Sequence, residues 1–172
     1  MTVQGSDNAL RFVAGRGHVE SYFLRANHPT EPRAFWLKAT VLSPLAGPPV
    51  AEVWCCTFDG AQVWGARQRV EMEQARFEGS PIRIEIGACS FVLDPKKGTS
   101  TGTLTNDRGS CSWDLQWNPD PGELGTPLSI FPFQWMLTAP FPRSKTLTPH
   151  PVLRFSGVIK GHQGEVNVAD WV

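Results

Sequence analysis

The sequence has little that would place it in a membrane, in the secretory pathway or on nucleic acid. No run of about eighteen consecutive apolar residues, the length that a membrane-spanning helix needs, occurs in its 172 residues. The start of the chain also lacks the apolar stretch of a secretory signal. The 16 basic and 16 acidic residues balance, so no excess positive charge attracts nucleic acid. We therefore expect a cytoplasmic protein that does not span a membrane and does not bind nucleic acid.

Local motifs for metal ions and disulfides are absent as well. The four cysteines form no CxxC or CxxH pair, and the four histidines are scattered along the chain. Cys55 and Cys56 are adjacent, while Cys89 and Cys111 lie in apolar runs, where a free cysteine behaves as a small hydrophobic residue. We expect four reduced thiols, no metal site and no cofactor.

Prolines and glycines, 15 and 16 of them, divide the chain into short segments and leave little room for long helices. Between these breaks apolar and polar residues alternate, as in Ile82, Ile84 and Ile86 against Arg83 and Glu85. A period of two predicts strands with one buried face. The predicted strands are 20–24, 35–41, 53–58, 62–70, 82–86, 90–93, 102–105, 112–117, 153–159 and 165–171. A weak helical pattern covers 70–77.

Turn residues at 58–61, 106–109 and 160–164 are placed to join neighbouring antiparallel strands. A chain of about nine strands closes into a barrel or folds into two packed sheets, because a long open sheet leaves unpaired edges. We predict one all-β domain over residues 1–172, an up-and-down antiparallel barrel or half-barrel.

Residues 117–151 depart from the strand rhythm. Prolines crowd this segment together with Phe131, Phe133, Trp135, Met136 and Phe141. Because proline has no N–H to donate to a sheet, the segment cannot be an interior strand throughout. We expect an apolar strap or lid across the end of the barrel, with a plain packed loop as the alternative.

Ionisable side chains gather along the first predicted strand. Glu20 and Tyr22 share one face of that strand, and Arg25 and His28 lie at its exit. Glu20, Tyr22 and His28 could act as acid and base in protonating an alkene or adding water, if burial raised the carboxylate pKa. The structural alternative is an ion pair between Arg25 and Glu20 or Asp59, with His28 in a turn.

Tryptophan is abundant, and six of the seven indoles lie in or beside predicted strands. An indole buries a large apolar area and lines cavities that hold flat or extended apolar ligands. We expect Tyr22, Trp36, Trp54 and Trp113 to line such a cavity. The alternative is that these rings simply fill the core.

The run Gly98-Thr99-Ser100-Thr101-Gly102 matches the letters of a nucleophilic-serine elbow. That elbow requires a strand before the serine and a helix immediately after it. A strand and a hairpin are expected here instead, so we interpret the match as a coincidence.

Motifs along nearly the whole chain resemble the first lipocalin-like half of the bacterial family of hydroxyneurosporene synthase (carotenoid hydratase) and AttH-like proteins. The matching motifs are GHVESYFLRANHP at 17–29, AFW at 34–36, EVW at 52–54, FDG at 58–60, SWDL at 112–115, APFP at 139–142, RFSG at 154–157 and DWV at 170–172.

The resemblance implies a lipocalin-like fold and a long apolar ligand, often isoprenoid or polyketide. The full-length relatives continue into a second half where this chain stops, so the resemblance also implies pairing with a second copy or a second lipocalin-like half. Three functions follow: binding of a hydrophobic, isoprenoid-like small molecule; cofactor-independent hydration or cyclisation of an apolar alkene; and a structural module that pairs with a second barrel.

Overall fold

The computed structural model describes residues 10–13, 15–79, 81–94, 97–118, 128–141, 143–161 and 164–172. Regular structure in these ranges is antiparallel β-sheet, which confirms the all-β prediction. Two short 3-10 helices, Met72–Gln74 and Gln134–Leu137, interrupt the strands, and the described ranges contain no α-helix. Accordingly, no helix within them is long and apolar enough to cross a membrane.

In the described ranges, thirteen strands form two large sheets and one small one. The first sheet has four strands in sequence order, β1 (His18–Asn27), β2 (Arg33–Ser43), β3 (Val50–Asp59) and β4 (Gln62–Glu71). A two-stranded sheet pairs β10 (Leu128–Ser129) with β11 (Leu147–Thr148). The remaining seven strands form the second large sheet and are β5 (Ala75–Gly79), β6 (Ile82–Ile86), β7 (Cys89–Leu93), β8 (Gly98–Asn106), β9 (Gly109–Asn118), β12 (Arg154–Gly161) and β13 (Gly164–Trp171).

The seven-stranded sheet runs in the order β13-β12-β9-β8-β7-β6-β5, so the small sheet is inserted between the neighbours β9 and β12. Two-residue turns join β3 to β4 and β8 to β9, at the positions that the turn residues predicted. Gly60 and Gly109 have positive φ there, which glycine adopts at no steric cost. The predicted turn at 160–164 includes residues outside the described ranges.

The helical pattern predicted at 70–77 is wrong. After the 3-10 turn the chain enters β5, where Ala75 and Phe77 pair with Ile86 and Ile84 of β6. Pairing with β6 therefore decides the conformation of a segment whose own sequence signal was short and ambiguous.

Alternate residues of both large sheets bury their apolar side chains in one core. Phe35, Ile84, Ile86 and Phe155 are almost completely inaccessible. Aromatic rings join the two sheets, because Phe35 of β2 makes an edge-to-face contact with Phe155 of β12, with centroids 5.3 Å apart, and stacks on Trp171 of β13 at 6.1 Å. Such aromatic pairs add to the stability that burial alone provides.

Glycines of β8 make room for two tryptophans of β9. A Cβ atom on Gly98 would lie 2.0 Å from the Trp117 ring, and one on Gly102 would lie 2.3 Å from the Trp113 ring. Between them Ser100 is only 1% exposed and accepts a hydrogen bond of 2.9 Å from Trp113 Nε1. The run at residues 98–102 is thus part of a strand, and its two glycines leave space for two indole rings.

All four cysteines are free, and Cys55, Cys89 and Cys111 are buried. The Sγ atoms of Cys55 on β3 and Cys111 on β9 lie 3.9 Å apart, where the two sheets face each other. The contact with Cys111, together with burial, raises the pKa of the Cys55 thiol. These three thiols act as small core residues, as their apolar surroundings predicted.

Candidate functional site

A cleft of about 520 Å³ opens along the free edge of β1. Strand β1 is an edge strand of the four-stranded sheet. The cleft separates it from the second sheet and from residues 146–151. Its volume lies in the range of small-molecule sites, about 300–1,000 Å³. The cleft is therefore the candidate site of this chain.

Apolar side chains from both sheets and from the strap segment form most of the wall. Tyr22 and Leu24 of β1 face Trp117 of β9 and Phe155 of β12 across the cleft, and Trp117 and Phe155 pack on each other with ring centroids 5.4 Å apart. The other apolar lining residues are Phe23, Trp36, Leu93, Leu128, Leu147, Pro149, Pro151, Leu153 and Val172.

The described part of the predicted strap, residues 128–141 and 143–151, borders this cleft at its base. Leu128 of β10 pairs with Thr148 of β11, and both residues line the cleft. The loop between these two strands then leads away into a 3-10 helix. Residues 119–127 of the predicted strap lie outside the described ranges.

Polar side chains belong to seven of the nineteen residues that line the cleft. Arg25, Asp94, His150 and the Tyr22 phenol line it, together with small hydroxyl residues. Burial lowers the pKa of His150, so its imidazole is neutral at pH 7. Neither Arg25 nor His150 forms an ion pair with another described residue, whereas Asp94 does have a polar contact.

Next to the cleft, the Glu20 carboxylate has hydrogen-bonding contacts with three residues. Its carboxylate accepts one from the Tyr22 phenol at 3.0 Å and lies 3.2 Å from His18 Nε2. The backbone N–H of Arg11 donates to both carboxylate oxygens, at 3.2 and 3.0 Å. His18, Glu20 and Tyr22 alternate along β1 and therefore share one face of the strand. Tyr22 is the member of this cluster that also reaches the cleft.

The Tyr22 pKa is raised well above its ordinary value of 10.0, first by burial and then by the Glu20 carboxylate. The chain contains one tyrosine, so tyrosinate absorbance measures this group alone. We expect the folded protein to titrate well above pH 10.0, and the Glu20→Gln variant to titrate lower than the wild type.

The sign of the pH effect on stability follows from this shift. Above about pH 10 the unfolded chain releases the phenol proton while the folded chain retains it, so stability falls as the pH rises. A tyrosinate midpoint in the folded protein equal to that in denaturant would contradict the Tyr22–Glu20 contact.

His28 lies apart from the Glu20 cluster. Eight residues of extended strand separate it from Glu20, about 26 Å. Its Nδ1 accepts hydrogen bonds from the backbone N–H groups of Thr30 and Glu31, at 3.2 and 2.9 Å, and its ring contacts Trp171 edge-on at 5.2 Å. His28 thus organises the turn between β1 and β2. Asp59 pairs with Arg33, at 3.2 Å, and not with Arg25.

The four side chains predicted to line a cavity occupy three different places. Tyr22 and Trp36 line the cleft. Trp113 is buried against Gly102 between the sheets. Trp54 lies on the outer face of the four-stranded sheet, where Arg67 sits 5.1 Å from its ring and its Nε1 donates to Glu52 at 3.2 Å.

Sequence reasoning included Trp117 among the indoles that could line a cavity but did not select it, and it did not single out His18, His150 or Phe155. A signal for His18 was present, because it alternates with Glu20 and Tyr22 on the strand. Phe155 comes beside Trp117 only through the long-range pairing of β12 with β9.

A second, much smaller pocket of about 50 Å³ lies between Trp64, Trp171 and the Arg33–Asp59 pair. Trp64 Nε1 has no hydrogen-bond partner among the described residues. The pocket can hold a few water molecules, each needing about 10–15 Å³ of such volume, but no extended ligand.

Comparisons with protein-family models, with curated proteins and with solved structures found no match for this chain. The functional argument therefore rests on the geometry of the cleft.

Proposed function

We propose that this protein binds a hydrophobic, isoprenoid-like small molecule in the cleft along β1. The observation that carries the proposal is the cleft itself, which measures about 520 Å³ and in which twelve of the nineteen lining residues are apolar. Phe23 and Trp36, whose ring centroids lie 5.8 Å apart, offer accessible ring surfaces to an extended chain of carbon atoms. Tyr22, Trp117 and Phe155 belong to the same wall but are at most 7% exposed. Sites of this composition bind ligands through apolar burial and use few polar groups for orientation.

The ligand carries one polar end. Arg25 can donate to an acidic or hydroxyl group there, because no other described residue occupies it in an ion pair. The neutral imidazole of His150 offers a second donor or acceptor at low desolvation cost. An amphipathic molecule with a carboxylate or hydroxyl head fits this distribution.

A lipocalin-like barrel is part of the same proposal. Asn27 at the end of β1 and Val172 after β13 exchange backbone hydrogen bonds of 2.7 and 3.1 Å, which joins the edges of the two large sheets at one end. On another side the Asn106 side chain donates to the Gly65 carbonyl oxygen at 2.8 Å. Four free thiols support the proposed cytoplasmic location.

Hydration or cyclisation of an alkene is the second candidate function, and the contact of Tyr22 with both Glu20 and the cleft favours it. The raised pKa of Tyr22 opposes it, because a phenol that holds its proton more tightly is a weaker acid. Binding without chemistry agrees better with this arrangement.

Pairing with a second copy or with a second lipocalin-like half stays a prediction. The surface that supports it is the outer face of the four-stranded sheet, where Val19, Phe23 and Val63 are exposed. Apolar side chains of this kind favour association when they form a continuous patch.

Tryptophan quenching tests the binding proposal. Titration with retinoic acid, an unsaturated fatty acid and a carotenoid-derived aldehyde should quench indole emission, because Trp117 and Trp36 line the cleft. We expect at least one probe to bind with a Kd of about 10 μM or lower, given the apolar area that the cleft removes from water.

Glycerol and short-chain acids serve as the polar controls and should leave the emission unchanged. The absence of quenching by all three apolar probes at concentrations above 100 μM would contradict the proposal.

A further inference from the structure

Exposed apolar side chains concentrate in the segment that follows β10. Of the twelve large apolar side chains that are exposed in the described ranges, five lie within residues 128–141. Trp135 is 64% exposed and Phe141 is 80% exposed. We call residues 128–141 and 143–145 the apolar loop. The five exposed apolar residues of this loop are Leu128, Ile130, Phe133, Trp135 and Phe141.

The loop is held in shape by its own contacts. Lys145 donates hydrogen bonds to the carbonyl oxygens of Met136 and Ala139, and its Nζ lies 5.3 Å from the Phe131 ring centroid. Leu137 is buried and anchors the 3-10 helix Gln134–Leu137. Phe133 and Trp135 stack on each other with centroids 6.4 Å apart and remain exposed. These contacts therefore hold the aromatic side chains in a defined arrangement, and the rest of the described chain does not cover them.

Charge in this segment has one sign. Residues 128–145 contain Arg143 and Lys145 but no aspartate or glutamate, although the whole chain has as many acidic as basic residues. Exposed aromatic rings beside cations, in a segment that itself contains no acidic residue, complement a surface that is apolar below and anionic at its boundary. An anionic phospholipid bilayer has this structure.

We propose that the apolar loop docks on the surface of an anionic phospholipid bilayer. Phe133, Trp135 and Phe141 enter the boundary between headgroups and acyl chains, where aromatic side chains are favoured. Arg143 contacts the lipid phosphates. The apolar loop connects β10 to β11, and both strands border the cleft. Docking of the loop therefore places the cleft next to the membrane. The proposal does not depend on whether the cleft binds a ligand.

A second copy of the chain fits this surface less well. The five exposed side chains present on the order of 500 Å², since an aromatic side chain contributes about 150–250 Å² when fully accessible. A stable protein–protein interface buries about 800 Å² on each partner. Because little more than half of such an interface is apolar, area alone does not separate the two occupants. Charge does, since a second copy would bring the same cations to the contact, whereas an anionic headgroup complements them.

Flotation with vesicles tests the proposal. The wild-type protein should float with vesicles of phosphatidylcholine and phosphatidylserine, and less with phosphatidylcholine alone. The double variant Phe133→Ser/Trp135→Ser should bind at least about tenfold more weakly, because it loses two inserted rings. Arg143→Gln should weaken binding about fivefold and reduce its salt dependence. Leu45→Ser removes an exposed apolar side chain from the loop between β2 and β3 and should have no effect.

Brominated phospholipids locate the contact. Trp135 is the exposed indole among the seven, all of which lie in the described ranges. Bromine in the upper acyl chain should quench wild-type emission. Trp135→Phe should keep vesicle binding and lose most of that quenching.

Each other outcome overturns the proposal. If the wild-type protein does not float with the vesicles, docking is excluded. This holds also if the wild-type protein is a dimer and the double variant Phe133→Ser/Trp135→Ser is a monomer. Undiminished flotation of that double variant places the contact elsewhere. Quenching that persists in Trp135→Phe excludes insertion of the loop.

Discussion

Replacing Gly157 with alanine should destabilise the protein by about 3–5 kcal/mol, the sum of a strained backbone and an overpacked contact. Gly157 of β12 has a φ of 135°, a conformation that L-residues rarely adopt. A Cβ atom there would lie 2.1 Å from the backbone carbonyl oxygen of Asp114 on β9. Since that neighbour is backbone, the two strands must separate to admit the methyl group.

Gly161→Ala is the matched control on the same strand. A Cβ atom at Gly161 would meet no atom of the described residues within 4 Å. We expect its free energy of unfolding in urea to stay within about 1 kcal/mol of the wild type. Equal unfolding midpoints for Gly157→Ala and Gly161→Ala would show that β12 does not pack on β9 as described.

Strands that carry a long alternating pattern could be predicted from the sequence alone. β9 alternates apolar and polar residues from Cys111 to its end and has one buried face, and Phe35, Leu37, Ala39 and Val41 of β2 are buried with the same period of two. The boundaries were shorter in the prediction, because polar strand ends such as residues 98–101 of β8 carry no apolar signal. Strand β5 was missed, since five residues with only Ala75 and Phe77 as apolar markers fit a helical turn equally well.

The strap illustrates what composition can and cannot indicate. Crowded prolines and aromatic residues correctly excluded a long interior strand, and the described part has only two-residue strands and a 3-10 turn. Which aromatic rings face water was not predictable, because that depends on the Lys145 contacts to residues far along the loop.

For the candidate site, period-two geometry placed Glu20 and Tyr22 together, and the two side chains are hydrogen-bonded. We also expected His28, at the end of the strand, to act together with Glu20 and Tyr22. An extended strand places residues 20 and 28 too far apart for this. The opposite wall comes from β9 and β12, which lie about 90–130 positions further along the chain than β1. Only the sheet pairing brings these walls together, so no local sequence pattern could predict the cleft.

Filling the cleft should abolish the proposed ligand binding. Thr146 and Thr148 line the cleft from the strap side and are exposed, so tryptophan at both positions can fill the cleft without disturbing the core. Thr103 and Thr105 are the matched pair on β8, equally spaced, also exposed and outside the cleft. Two added indoles displace enough buried apolar area to weaken binding at least about a hundredfold.

Calorimetric titration of the tightest-binding apolar probe into these two double variants tests the binding function most directly. Matching far-UV circular dichroism spectra establish that both variants are folded. Thr146→Trp/Thr148→Trp should release no measurable heat of binding, while Thr103→Trp/Thr105→Trp should bind with the wild-type Kd. Wild-type affinity in the cleft-filled variant would contradict the assignment of the cleft as the ligand site.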